Sequence, residues 1–431
     1  MPARLSLLAL CLAASFQTAA FAQAPAPARP PLEVPTGAAA GPGFDAVRAT
    51  DAYLATVPPD KRARSDAYFE GGYWIQLWGF LYTSAALWLI LSLGWSAAMR
   101  DRAARITRFP LLQVPVYWVQ LGSAIAVLSF PLTFYTDLIR EHQYGMATQS
   151  FGPWFGDQAK AYGVMLIAGS IVTTGLYAVL RRVGASWWLW ATGVVVVFSA
   201  VGAMIAPVYI APLFNSYTHL ADASVRTPIL SMARANGIPA DDVYVVDQSR
   251  QTKRISANVS GLGRTMRISL NDNLLNRGSL EEIEAVLGHE MGHYVLNHLV
   301  KSLVDIAVLT AVGFALIARF FERLRRRDPR WGIRSVADVA GLPLIALLFG
   351  AYQFVTTPIT NTIVRTSEQE ADMFGLNATR QPDGFANAAL KLGEYRKLAP
   401  GPMEEVVFFD HPSGRTRILS AMRWKEEQEK K

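Results

Sequence analysis

The stretch Leu287-Gly288-His289-Glu290-Met291-Gly292-His293 sets two imidazoles four residues apart and a carboxylate directly after the first. On a helix that spacing stacks both imidazoles on one face, one turn apart. A single zinc ion can then take a nitrogen from each. Glu290 lies beside them, next to a metal-activated water, where it can act as general base. The flanks suit a helix. Ser279 precedes Glu281, Glu282 and Glu284, an acidic first turn that favours a helix N-terminus. Ile283, Val286, Leu287, Met291 and Val295 supply an apolar stripe. An HExxH pattern also arises by chance, and a histidine pair on an amphipathic helix can be a surface pair. Against that, the chain has only six histidines, and two fall in the motif with the right glutamate.

A catalytic zinc site usually has about three protein ligands and an open position for water. Thiolates are a poor source for the third, because the only cysteine, Cys11, lies in the extreme N-terminal segment. A carboxylate is the natural choice. In Arg365-Thr366-Ser367-Glu368-Gln369-Glu370-Ala371-Asp372, Glu368 and Asp372 are four apart and share a helix face. One can ligate while the other accepts a hydrogen bond from a ligand imidazole and fixes its tautomer. Alone, such a pair would more often be a solvated acidic face; the upstream motif shifts the balance.

The elements that must position these residues lie in a membrane. Of 431 residues, 51% are hydrophobic and only 17% charged, against about 25% charged in ordinary soluble domains. Residues 73–99, 109–136, 161–180 and 186–211 are free of charge and long enough to cross a bilayer, and two further spans fall at about 301–321 and 336–362. Tyr73, Trp74, Trp187, Trp188, Trp190 and Tyr209 collect near span ends, as an interfacial aromatic belt would. The expected fold class is mainly α: a polytopic α-helical membrane protein of about six spans with a small α+β zinc peptidase unit of gluzincin type.

The N-terminus reads as a signal segment over residues 1–22, with Arg4, the apolar run Leu5–Phe16 and the small-x-small site Ala20-Phe21-Ala22; an uncleaved anchor is the alternative. Residues 23–72 form an Ala/Pro-rich linker and an N-terminal helical segment, 73–211 four spans, 212–300 a catalytic unit, 301–365 two spans and 366–431 a C-terminal catalytic segment. Arginines cluster after the first span (Arg100, Arg102, Arg105, Arg108), the third (Arg181, Arg182) and the fifth (Arg319 to Arg334). With six spans these clusters share one side, which the positive-inside rule makes cytoplasmic. The catalytic unit then faces outward, toward the periplasm if the membrane is a bacterial inner membrane; a cytoplasmic face is the alternative. The net charge of +7 is mostly topology, with no basis for a nucleic-acid partner.

Within the extramembrane parts, residues 223–237 are expected to form a helix ending at Gly237, and Val243–Val246 and Met266–Leu270 short strands. The segment 254–263 is an edge strand or loop beside the site. The metal helix is expected over roughly 279–298, running on into the fifth span. Two more helices follow at about 382–397 and 414–428.

The sequence resembles the M48 metallopeptidases of the CAAX prenyl protease 1 type. The stretches that carry the resemblance are Ile283 to His293 with Asn297-His298, the Glu368/Asp372 pair after Arg365, Asp410-His411-Pro412-Ser413 with Arg417-Ile418, and Ile210 to Asn215 leading into Val243–Asp247 and Ile268–Leu275. The match is good over roughly 205–430 and extends earlier only by layout. The resemblance implies His289, His293 and Glu368 as ligands of one zinc ion, Glu290 as base and Asp372 behind a ligand histidine. It further implies His411 and Arg417 as a pair steadying the substrate carbonyl or oxyanion, and a ring of spans enclosing a chamber. Where eukaryotic proteins of this type carry an Asn-Ala-Tyr type edge strand, this chain reads Ser256-Ala257-Asn258. Backbone pairing of an extended substrate survives such a change. The edge-strand difference, the signal segment and the outward face all set the chain apart from a cytosol-facing prenyl-protein protease.

These readings converge on an integral-membrane zinc endopeptidase acting on extended or unfolded polypeptide. Two other classes compete. A membrane scaffold or chaperone with structural zinc would not need Glu290. A divalent-metal transporter would carry ionisable residues inside its spans, which are almost free of them here.

Overall fold

The structure is a computed structural model that describes residues 29–261 and 266–430; the signal segment and Cys11 lie outside the described residues. The chain is mostly helical. Helix α1 (Ala46–Ala55) starts where the Asp45 side chain accepts from the Arg48 amide, and α2 (Pro59–Ser92) starts on a proline, which has no amide hydrogen to leave unpaired. The uncharged run at 73–99 does not form one element. Gly94 takes a left-handed φ of 67° and turns the chain into α3 (Trp95–Ile106). Helix α4 (Pro110–Phe134) continues through a π-helical turn into α5 (Arg140–Gln143). Helices α6 (Phe151–Leu180) and α7 (Trp187–Ile205) complete the first half.

In the second half, α8 (Ala223–Ala235) ends just before Gly237, at φ 71°. Short α9 (Asp272–Arg277) precedes α10 (Leu280–Val295), which opens on a capping box between Ser279 and Glu282. Helices α11 (His298–Arg325), α12 (Leu342–Thr379), α13 (Pro382–Leu392), α14 (Pro402–Phe408) and α15 (Gly414–Glu429) follow. Among the described residues, six helical segments are long and apolar enough to cross a membrane: Pro59–Ser92, Pro110–Gln143, Phe151–Leu180, Gly184–Leu213, His298–Arg325 and Val339–Thr379. Trp74, Val127, Ile167, Val197 and Val355 stand exposed along them, as lipid-facing side chains do.

Besides the break at Gly94 and a helix expected to reach about 397 that ends at Leu392, two findings depart from the expected element bounds. The metal helix does not run into the fifth span. Asn297 adopts the left-handed region (φ 56°) and breaks the chain between α10 and α11. The sixth span, in turn, does not stop before Arg365. It continues unbroken to Thr379, so the membrane helix itself carries Glu368 and Asp372.

A four-stranded sheet forms from β1 (Tyr217–His219), β2 (Val243–Val246), β3 (Ala257–Ser260) and β4 (Arg267–Asn271), in the order β1-β2-β4-β3. β2 and β4 are parallel, and β3 pairs antiparallel to β4 as the outer strand, Ala257 opposite Leu270. Val243, Ile268, Leu270, Ile229, Ile283 and Leu287 form a core that fixes the sheet against α8 and α10.

The arginine clusters gather at one end. Arg100 donates to the Gly332 carbonyl and the Asp338 carboxylate, both at 2.7 Å, and Arg181 donates to the Pro110 carbonyl at 3.0 Å.

Helices α10 and α12 cross with almost no side chain between them. A Cβ on Gly375 would stand 2.8 Å from the His289 amide nitrogen, and one on Gly292 would stand 3.1 Å from the Ala371 Cα. A Cβ on Gly288 would meet the Thr379 methyl at 2.5 Å. Small residues at this crossing let the carboxylates of one helix reach the imidazoles of the other.

Candidate active site

His289 and His293 project from α10 toward Glu368 on α12. His289 Nε2 lies 3.1 Å from His293 Nε2 and 3.2 Å from Glu368 Oε2, while His293 Nε2 lies 3.4 Å from Glu368 Oε1. One ligand atom from each of the three falls within 4.8 Å of the others.

The outer nitrogens of both imidazoles are held. Asp372 is a carboxylate and can only accept, so His289 Nδ1–H donates to its Oδ1 at 2.7 Å. His293 Nδ1 lies 2.8 Å from His298 Nδ1, and His298 Nε2 donates to Glu370 at 3.1 Å. With its Nε2 proton committed to Glu370, His298 accepts at Nδ1, so His293 donates there. Lys301 Nζ also donates to Glu370, at 2.6 Å. Both Nε2 atoms are thereby left as bare acceptors pointing into one space. Two lone pairs and a carboxylate in mutual contact repel unless a proton or a cation lies among them.

Glu368 Oε2 is buried and lacks a properly directed hydrogen bond. A divalent cation satisfies that orphaned oxygen and both lone pairs at once, and two nitrogens with one carboxylate oxygen are a donor set that zinc accepts. The residues fit the metal.

The electrostatics agree with shared occupancy. Burial opposes charge on His289, but the Asp372 and Glu368 carboxylates facing it raise it to about 9. Burial, with the charge of His289, lowers His293 to about 4. Burial also pushes the Glu290 carboxyl up to about 7. A cation in the site would draw Glu290 back toward its charged form.

A cavity of about 170 Å³ opens beside the cluster, bounded by His289, Glu290, His411, Arg417 and the start of the outer strand at Ser256 and Ala257. Asn258 is exposed, and its side chain accepts from Ser260 at 3.2 Å. His411 stands between α14 and α15. Its Nδ1 donates to Asp410 at 2.8 Å and its Nε2 lies 3.3 Å from Glu368 Oε2. Arg417 is tied to Asp372 by two bonds, Nε to Oδ2 at 2.9 Å and Nη2 to Oδ1 at 2.5 Å. Its first task in this geometry is to hold the carboxylate that orients His289. It still borders the cavity, and among the described residues Nη1 has no protein partner.

His298 is the residue beside the cluster whose place sequence reasoning missed. Nine residues from His289, it reads as a helix-face residue if α10 runs on. The signal was Asn297, a residue type that tolerates the left-handed conformation and can fold the next side chain back.

The profile of peptidase family M48 matches residues 219–425, and that of the CAAX prenyl protease N-terminal region, described by five membrane helices, matches residues 47–216. The Bacillus subtilis (strain 168) protein YhfN, named an uncharacterized metalloprotease, is 31% identical over 317 residues, covering 72% of this chain and 74% of that one. The chain belongs to peptidase family M48. Among other M48 relatives, the Dictyostelium discoideum CAAX prenyl protease 1 homolog is 26% identical, covering 67% of this chain and 68% of its own length. The crystal structure of S. mikatae Ste24p superposes with a TM-score of 0.72 at 22% identity, covering 85% of this chain and 89% of that one, which shows a shared fold. This M48 chain is an integral-membrane metallopeptidase.

Proposed function

We propose that this chain is a zinc-dependent endopeptidase that hydrolyses extended or unfolded polypeptides at the membrane surface, with its site on the face opposite the arginine-rich end. In a bacterial inner membrane that face is periplasmic. The observation that carries the reading is the convergence of His289 Nε2, His293 Nε2 and a Glu368 oxygen beside a cavity that Glu290 also borders.

His289, His293 and Glu368 would hold the ion. Bound there, zinc supplies a Lewis acid that activates water and polarises a peptide carbonyl. Asp372 and His298 keep the two imidazoles in the ligating tautomer. Glu290 takes the proton of the attacking water on a carboxylate oxygen and delivers it to the leaving amine nitrogen. The outer edge of β3, unpaired among the described residues, offers backbone groups to an extended peptide, which lays its scissile carbonyl along the cavity. His411 and Arg417 place positive or donating groups where negative charge develops on that carbonyl.

The test is Glu290→Gln in the purified membrane protein. It should keep its metal and its thermal transition yet lose at least about a hundredfold in turnover of a quenched peptide. Wild-type turnover by the metal-loaded variant would refute the assignment. Chelation should abolish cleavage of denatured casein by the parent protein, and a purely structural metal would leave nothing to abolish.

A further inference from the structure

The loop from α13 to α14 puts beside the active site a cation, Arg396, that feels the Asp410 and Glu368 carboxylates but is in direct contact with neither among the described residues. Arg396 borders the catalytic cavity together with His289, Glu290 and His411, and it also borders the adjoining cavity of about 530 Å³ toward Tyr73 and Gln76. Among the described residues its guanidinium makes no ion pair and no hydrogen bond. Its neighbours are all engaged. Arg417 is held by Asp372, Arg254 by Glu141, Arg140 by the Tyr68 carbonyl and Arg365 by the Glu405 and Phe409 carbonyls.

The loop that presents Arg396 is fixed. Ser65 Oγ donates to the Gly393 carbonyl at 2.5 Å and lies 3.2 Å from the Arg396 carbonyl. Lys397 is held by Glu70 at 2.6 Å and Glu404 at 2.9 Å, and the Tyr395 hydroxyl donates to the Ile255 carbonyl at 3.4 Å. A guanidinium held half out of water by a pinned backbone is poised for an anion, and its planar fork suits a carboxylate. Burial, together with the charge of Arg417, pulls Arg396 below the ordinary arginine range, against the attraction of Tyr395, Asp410 and Glu368. The anions an extended polypeptide brings into such a cavity are carboxylates: its own terminus or an acidic side chain.

We propose that Arg396 is a specificity residue that receives a carboxylate of the peptide substrate at the junction of the two cavities. The proposal rests on the peptidase reading above. It predicts preference for substrates in which a carboxylate lies a few residues from the cleaved bond. Arg396 acts on binding, so the preference appears in KM and in equilibrium binding.

The experiment uses full-length, metal-loaded Glu290→Gln protein in detergent and three fluorescent peptides of one sequence: a free C-terminal acid, its amide, and an amide with one internal glutamate. Anisotropy should show the acid or the glutamate peptide binding about tenfold tighter than the plain amide, as one desolvated charge-assisted pair gives. Which of the two gains identifies the source of the carboxylate. Adding Arg396→Gln should bring the ratio to about one, while Arg396→Lys should keep part of it. Metal content reports folding of each variant. Equal binding of all three peptides by the parent would overturn the proposal, with no variant needed. Turnover by the unmutated protein is read separately. Carboxylate preference without any cleavage would sink the hydrolase reading and leave the Arg396 site standing. Cleavage without preference would do the reverse.

Discussion

The α10–α12 crossing makes a quantitative demand on one residue. Gly375 stands where any Cβ would lie 2.8 Å from the His289 amide nitrogen, 3.1 Å from the Gly288 carbonyl carbon and 3.2 Å from the His289 Cα. All three are backbone atoms in the middle of a helix, so no side chain can swing aside. Ordinary contact begins near 3.5 Å, and the 2.8 Å approach falls short of it by about 0.7 Å. Gly375→Ala must therefore push α12 away from α10 by a sizeable fraction of an ångström. Metal coordination tolerates roughly 0.2 Å per ligand. Glu368 is two turns up the same helix, so it would leave the reach of His289 and His293.

The expected result is a loss of about tenfold to a hundredfold in zinc affinity, the range seen when the groups supporting a metal site are disturbed. An overpacking cost of about 1–3 kcal/mol in stability should accompany it. Zinc affinity is measured by chelator competition and stability by thermal melting of the purified protein. Gly350→Ala is the control: it lies on the same helix, and a Cβ there meets nothing within 4 Å. Wild-type zinc affinity in Gly375→Ala, or an equal loss in Gly350→Ala, would refute the argument that close helix approach builds the site.

Three other expectations follow from the same geometry. His298→Ala should release the His293 tautomer and weaken zinc binding by about tenfold with little change in melting temperature; unchanged affinity would mean that the 2.8 Å imidazole contact does not orient the ligand. Asp372→Asn should do more, because it frees His289 and also strands the buried Arg417 charge, a change that costs about 3–5 kcal/mol in buried pairs; melting curves and zinc content check both arms. Zinc affinity should rise with pH. Without the ion His289 is raised to about 9 and so holds a proton at neutral pH, whereas His293, lowered to about 4, does not. The His289 proton must leave as the ion enters, so affinity should gain about tenfold per unit between about pH 7 and 9 and level off above His289's own value, with a steeper rise below about 7, where Glu290 also starts protonated. A flat profile in competition titrations would contradict the assigned protonation.

What the sequence makes legible is the chemistry that depends on local spacing. Two histidines at i and i+4, and two carboxylates at i and i+4, each define a helix face without knowledge of the fold. Uncharged runs of more than twenty residues define spans for the same reason. What stays hidden depends on backbone choices at single residues. Gly94 splits an apolar run that reads as one span, and Asn297 turns His298 back onto His293. The parallel pairing of β2 with β4 joins segments separated by the outer strand β3, which a strand-by-strand reading cannot specify. Arg396 carries no motif at all. Its interest comes from what fails to surround it, and only coordinates reveal that. For Arg417, the family resemblance suggests a place beside the reacting carbonyl; the bonds to Asp372 add a second task, holding the carboxylate that orients His289, which spacing alone does not disclose.

Glu368 is part of the last membrane helix, and the HExxH helix joins α11, the preceding one, through a single left-handed residue. Those two spans approach closely as well: a Cβ on Gly313 of α11 would stand 2.8 Å from the Tyr352 ring and 2.9 Å from the Phe349 ring, both on α12. The residues proposed to hold the metal therefore sit at the ends of a pair of membrane helices whose separation is set twice, once within the apolar region at Gly313 and once at the site by Gly288, Gly292 and Gly375. A rigid helix transmits a displacement along its length, so a change of lateral packing near Gly313 reaches Glu368 about sixteen residues beyond the Tyr352 contact, or roughly 24 Å along α12. A soluble fragment holding only the HExxH helix and the sheet would lack the third ligand and the crossing that delivers it. In this chain, assembly of the hydrolytic site is a consequence of how α11 and α12 pack in the membrane.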